Sequence, residues 1–329
     1  MPNDAYNETC AAIANALWNH RLFLLHGDAK YLDVLERILY NGFLAGVSMS
    51  GDRFFYPNPL VCDGRKPFNQ GTLGRAPWFR TACCPVNVVR FVPSIPGFLY
   101  AVDDDGISVN LFSESEARVP LHGQRIRLSQ RTDYPWSGRI RVTVDPQQPT
   151  TFQLKVRIPG WARGRPVPSD LCRYAKAEQT GWTVTLNDQP VEQSLQKGFI
   201  VLNRRWRSGD TVELNLPMPV RRVLAHDAVK ADAGRVALER GPLVYCFEAV
   251  DNGGDVADLV VPDDATFQCE RRADLSGGVT VIRVAATRVV RNDDGTLTNR
   301  PVEAVAIPYY AWAHRTVGPM AVWMPRRPE

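Results

Sequence analysis

A chain of 329 residues with 44% hydrophobic and 22% charged side chains has the make-up of a folded protein of two or three domains, which excludes whole-chain disorder. No apolar run approaches the ~20 residues of a membrane span, and no basic-then-apolar leader opens the sequence. The net charge of +4 comes from basic residues scattered along the chain rather than striped, so nucleic-acid binding gains no support.

The first predicted elements are helical. The segment AAIANALWNHRLFLLHG sets Ile13, Leu17, Phe23 and Leu24 among alanines, with Gly27 as its stop. From Tyr31 to Ala45 an approximately 3.6-residue period carries Tyr31, Leu35, Ile38, Leu39 and Leu44, opposite Asp33, Glu36 and Arg37. Both stripes need other helices to bury against, so a larger helical layer is implied. Val86–Val92 reads as a third helix, with Pro85 at its first position. From about residue 100 the period becomes two. Short β runs at 107–112, 139–144, 151–158, 181–186, 199–202 and 211–216, separated by Gly, Pro, Asn and Asp, predict an antiparallel sandwich. A second β block follows at 235–238, 243–247, 279–284 and 321–324. The basic stretch Ala162–Thr180 is expected to be an exposed loop.

The cysteines are where chemistry is expected. Seven is an odd number, and without an export signal they read as free or metal-bound thiols of a reducing cytoplasm rather than a disulfide framework. Glu8 and Cys10 stand at one end, Cys83 and Cys84 follow 73 residues after Cys10, and three thiolates with a carboxylate make a tetrahedral zinc shell. Glu8 and Cys10 are about 200° apart on a helix, so they converge only where the chain is not yet helical. Cys83 and Cys84 at a helix N-terminus gain from its unpaired N–H groups and dipole, which favour the thiolate. Packing, structural zinc and a reactive site all remain open from spacing alone, because adjacent cysteines also serve as small buried apolar residues. Cys62, Cys172, Cys246 and Cys269 stand in isolated settings, as do the five histidines.

The runs ETC, YLDVLERILYNGFLAGVSMSGDRFFYPNPL and WFRTACCPVNVVRF, continued by LNDQPV, ALERGPLVYC and IPYYAWAHR, resemble glycoside hydrolase family 127, the β-L-arabinofuranosidases, over nearly the whole chain. The resemblance implies an α+β multidomain fold: the last helices of an (α/α)6 barrel in 1–99, β-sandwiches in 100–222 and 223–308, and a segment 309–329 returning to the first sandwich. It implies a retaining hydrolase acting on L-arabinofuranoside oligosaccharides. Glu8, Cys10, Cys83 and Cys84 correspond to the Zn2+ ligands, Cys83 to the nucleophile, and Tyr56 to a tyrosine facing the sugar pocket. The family's acid/base glutamate lies in a GExF motif ahead of ETC, and that motif does not occur here. The expectation is therefore a truncated catalytic domain that needs a missing N-terminal half or second chain. Pro93 and Pro96 also stand where the family carries a continuous helix, which they are expected to end or kink. The non-enzymatic alternatives are a remnant with an open apolar face and a sugar-binding module. In the latter, Trp136, Trp161, Trp182, Trp206 and Trp312 are the stacking candidates.

Overall fold

The structure, a computed structural model, describes residues 3–176 and 181–327. Residues 177–180, the end of the predicted exposed loop, lie outside the described residues. Among the described residues most of the regular structure is β, with three α-helices at the N-terminal side.

Helix α1 (Thr9–His26) stops at Gly27, whose φ of 62° suits a residue without a Cβ and whose N–H reaches Phe23 O. It buries Ile13, Ala16 and Phe23. Leu17 and Leu24, expected to face inward, are 42% and 51% exposed, because the inner face is set by α2 and α3 and, among the described residues, nothing covers the other side. Helix α2 (Ala29–Arg37) opens at Asp28, whose carboxylate accepts the Lys30 N–H. The predicted continuous helix to Ala45 is not found: a π-turn at Ile38–Phe43 and a 3-10 turn at Leu44–Gly46 follow. Asn41 supplies the reason. Its Nδ2 donates to Arg37 O, the acceptor of a regular α-turn, and to Pro242 O, while its Oδ1 accepts from Val244 N. Helix α3 (Cys83–Phe91) starts two residues before Pro85 and ends before Pro93, giving way to a 3-10 stretch, Val92–Phe98.

Two sheets then face each other across one core. The six-stranded sheet runs 189–190, 183–186, 210–215, 139–146, 124–132 and 115–121, all antiparallel. The four-stranded sheet runs 199–206, 150–157, 106–109 and 100–103, and its 106–109 and 150–157 strands pair in parallel. Alternating Ile126, Leu128, Val142, Val144, Leu154, Val156, Val212 and Leu214 fill the space between them. Trp161, Trp182 and Trp206 belong to this core and Trp312 to the next, so they offer no face for stacking on sugars. Trp136 is partly buried under Arg271.

The remaining strands form one connected eleven-stranded sheet with apolar residues on both faces. Its hairpin of Val279–Arg291 and Leu297–Pro308 is the longest pairing. The expected exposed loop contributes a strand to it: Cys172–Tyr174 pairs with 223–225, and the Tyr174 hydroxyl donates to buried Glu239. The final segment does not return to the first sandwich. Pro319–Ala321 pairs with Val61–Asp63 and with 247–248, and Met324–Pro325 pairs with 235–236. The cause is apolar: Met320, Val322 and Trp323 bury themselves with Phe55, Cys62 and Trp312.

The helical region is anchored to both β regions. Asp33 and Glu36 of α2 meet Arg157 and Arg163 of the first sandwich, and Arg157 is fully buried. Arg75 lies over Phe55 and donates to Ala45 O and Trp312 O.

Candidate metal and active centre

Glu8 caps α1 with extended backbone (φ −68°, ψ 136°), so the break in helical geometry falls at Glu8 rather than after Cys10. That bend lets Glu8 and Cys10 aim at one point. The cap is held from both sides. Thr9 N–H donates to Tyr56 O at 2.9 Å, Thr9 Oγ1 donates to Phe55 O at 2.8 Å, and Asn58 Nδ2 donates to Thr9 Oγ1. A Cβ on Gly46 would lie 2.6 Å from Thr9 Oγ1, so only glycine permits this close crossing.

Tyr56 sits on the same crossing segment. Its N–H donates to Asn69 Oδ1 at 2.7 Å, and its ring meets Phe79 edge-on at 5.3 Å. Its hydroxyl lies 2.7 Å from Cys83 Sγ. Cys83 and Cys84 open α3, where the first N–H groups have no partner within the helix.

The structure brings Glu8, Cys10, Cys83 and Cys84 together, with one ligand atom from each within 4.8 Å of all the others. Cys10 Sγ is 3.3 Å from Cys84 Sγ, Cys83 Sγ is 4.0 Å from Cys84 Sγ, and Glu8 Oε1 is 3.3 Å from Cys83 Sγ and 3.6 Å from Cys84 Sγ. Sulfurs bound at about 2.3 Å to one tetrahedral ion stand roughly 3.8 Å apart, so these separations suit such a group. Cys84 is fully buried, while Cys10 and Cys83 are half-buried. Burial pushes the Cys10 and Cys84 thiols up from their ordinary range. The contact with Cys83, reinforced by burial, pushes the Tyr56 phenol up. Crowded thiols that resist ionising are what a divalent cation offsets. The donor set therefore fits a metal ion that prefers sulfur.

Asn87 escaped the sequence reading. Its Nδ2 lies 3.0 Å from Cys10 Sγ. The available signal was its spacing, four residues after Cys83 and three after Cys84, which places all three on one helical face. A cavity of about 590 Å³ beside Glu8, between α1 and the large sheet, includes Tyr6, Arg37, Asn41 and Glu239 in its wall but neither Cys83 nor Tyr56.

The chain is similar to known proteins along nearly its whole length. The profile of the β-L-arabinofuranosidase GH127 catalytic domain matches residues 1–97, that of the GH127 middle domain 106–218, and that of the family 127 C-terminal domain 220–325. The non-reducing end β-L-arabinofuranosidase of Bifidobacterium longum subsp. longum is 36% identical, over 99% of this chain and 50% of its own length. A solved GH127 β-arabinofuranosidase superposes with a TM-score of 0.95 at 46% identity, covering 99% of this chain and 50% of that one. A GH127 β-L-arabinofuranosidase from Geobacillus stearothermophilus T6 gives 0.89 at 40% identity, covering 99% and 51%. The chain thus spans about half the length of the curated relative it matches. Three consecutive domain profiles of one family, met in order along nearly the whole sequence, show that the chain belongs to glycoside hydrolase family 127.

Proposed function

We propose that this chain carries the zinc–thiolate half of a retaining β-L-arabinofuranosidase site. Cys83 is the nucleophile, and polypeptide outside residues 1–329 supplies the acid/base carboxylate. The observation that carries the reading is the convergence of Glu8, Cys10, Cys83 and Cys84. A bound zinc would keep the sulfurs ionised at neutral pH. Cys84 is sealed in the core, whereas Cys83 is half-buried and faces the Tyr56 hydroxyl, which makes it the sulfur placed to meet a sugar.

In this scheme the Cys83 thiolate attacks the anomeric carbon. The glycosidic C–O bond breaks, and the leaving oxygen takes a proton from the acid. Water, deprotonated by the same carboxylate, then displaces the sulfur and frees the sugar with retention. Tyr56 orients the attacking sulfur through its hydroxyl. Glu8 is committed to the metal and is not the acid.

The missing carboxylate and the remaining sugar contacts are assigned to further helices of an (α/α)6 barrel, whether carried on the same polypeptide or on a second chain. What supports this is an uncovered apolar face: Leu17, Trp18, Leu24 and Leu25 of α1 and Val86 and Val89 of α3 are exposed. The substrate class follows the relatives' activity on β-L-arabinofuranosides.

The test is zinc per chain by elemental analysis, with the Cys10→Ala, Cys84→Ala double variant as control. About one zinc, lost in the control, is expected. Zinc-free protein, or zinc retained by the control, rejects the four-ligand centre.

A further inference from the structure

The three sulfurs of the centre have three different surroundings. Cys84 is fully buried, and Cys83 faces the Tyr56 hydroxyl at 2.7 Å. Cys10 alone meets a side-chain amide, Asn87 Nδ2, at 3.0 Å. That contact crosses from α3 to α1, so it ties the ligand at residue 10 to the helix that carries the other two thiols. A metal-bound thiolate can only accept a hydrogen bond, so the amide must present its N–H side to the sulfur. Accepting that bond draws charge from the sulfur. It favours the thiolate form of Cys10 and fixes the direction in which that ligand points.

We propose that Asn87 is a positioning residue of the metal centre, whose amide N–H holds the Cys10 sulfur in place as a ligand and ties α1 to α3. This rests on the zinc–thiolate reading above and adds to it a residue outside the four ligands that holds the centre together. Groups that hydrogen-bond to metal ligands commonly contribute about 10–100-fold in metal affinity, which sets the expected effect.

The probe is Co2+, titrated into the metal-free full chain, reading affinity and the sulfur-to-cobalt charge-transfer band. Asn87→Leu, close in volume and without a donor, is expected to weaken Co2+ binding about 10–100-fold and to move the band to lower energy. Asn87→Asp, which keeps the shape and turns an acceptor towards the sulfur, is expected to lose at least as much. It decides the matter if the leucine variant fails to melt cooperatively. Asn87→Gln, which retains the amide, is expected to recover part of both signals. In a Cys10→Ser background the Asn87→Leu change is expected to produce no further band shift, because the residue acts through that sulfur. Wild-type affinity and spectrum in both Asn87→Leu and Asn87→Asp overturn the proposal and leave the metal centre standing. A wild-type chain that binds no Co2+ overturns the centre itself, and this role with it.

Discussion

The first sandwich and the helical layer spend their apolar residues in opposite ways. Between residues 100 and 216 the two sheets close on each other, and Ile107, Ile126, Val142, Leu154 and Trp206 are all essentially sealed from solvent. In the helical layer Trp18 is 65%, Leu25 75% and Val89 67% exposed. The sandwich therefore holds its own stability, whereas the helices that carry the sulfurs borrow theirs from neighbours. The ordering of the site depends on ties between the two regions more than on the helices themselves.

The sharpest way to break that dependence is to cut the tie. Arg157 is fully buried and serves Asp33, Glu36 and the Asn110 carbonyl together. Arg157→Met leaves buried Glu36 without its cation, while Asp33 keeps Arg163, and is expected to cost about 3–5 kcal/mol in a denaturant melt. An unchanged midpoint would show that the helical layer stands without the sandwich.

A second, smaller lever lies on the other seam. Burial and the nearby Arg75 cation lower the pKa of His314 from its ordinary 6.5 to about 4. The unfolded chain then binds the proton more readily than the folded one. The stabilising contribution is complete above about pH 6.5 and is lost as the pH falls towards 4. The group is not fully buried, so about 1–2 kcal/mol is expected over that window. Melts from pH 7 to 4 with wild type and His314→Gln check it, the variant giving the flatter profile.

The smallest effect on folding is expected where exposure is greatest. Trp18→Ser with Leu25→Ser is expected to shift the melt within about ±0.5 kcal/mol for each substitution while lowering self-association seen by light scattering. A loss of several kcal/mol would mean that these side chains are already covered in solution.

Much of this was legible in the sequence because it depends on near neighbours. Gly27 ends α1 through its own backbone, Asp28 starts α2, and the period-two runs mark the strands. Glu8, Cys10, Cys83 and Cys84 were visible through their types and motif context. What escaped depends on distant partners. The π-turn is set by Asn41 reaching Pro242 and Val244, and nothing near residue 41 announces them. The pairing of 319–325 depends on Val61–Asp63 and 235–236, which compete with any edge of the first sandwich. Five tryptophans looked available because indole suits both cores and sugars, and only packing decides: four are buried in the cores and Trp136 is partly buried. Asn87 carried a helical spacing but no hint that its amide would meet sulfur rather than water.

The Glu8–Cys10 and Cys83–Cys84 pairs also bear on how the chain assembles. An ion gripping both would staple positions 10 and 83, closing a loop of 74 residues. By the loop-closure relation used for covalent crosslinks, that amounts to about 4–5 kcal/mol of chain entropy removed from the unfolded ensemble. Metal loading would then be an assembly step for α1 and α3 as well as a preparation for chemistry. Its withdrawal would first loosen the N-terminal helix, while the sandwiches stayed shut.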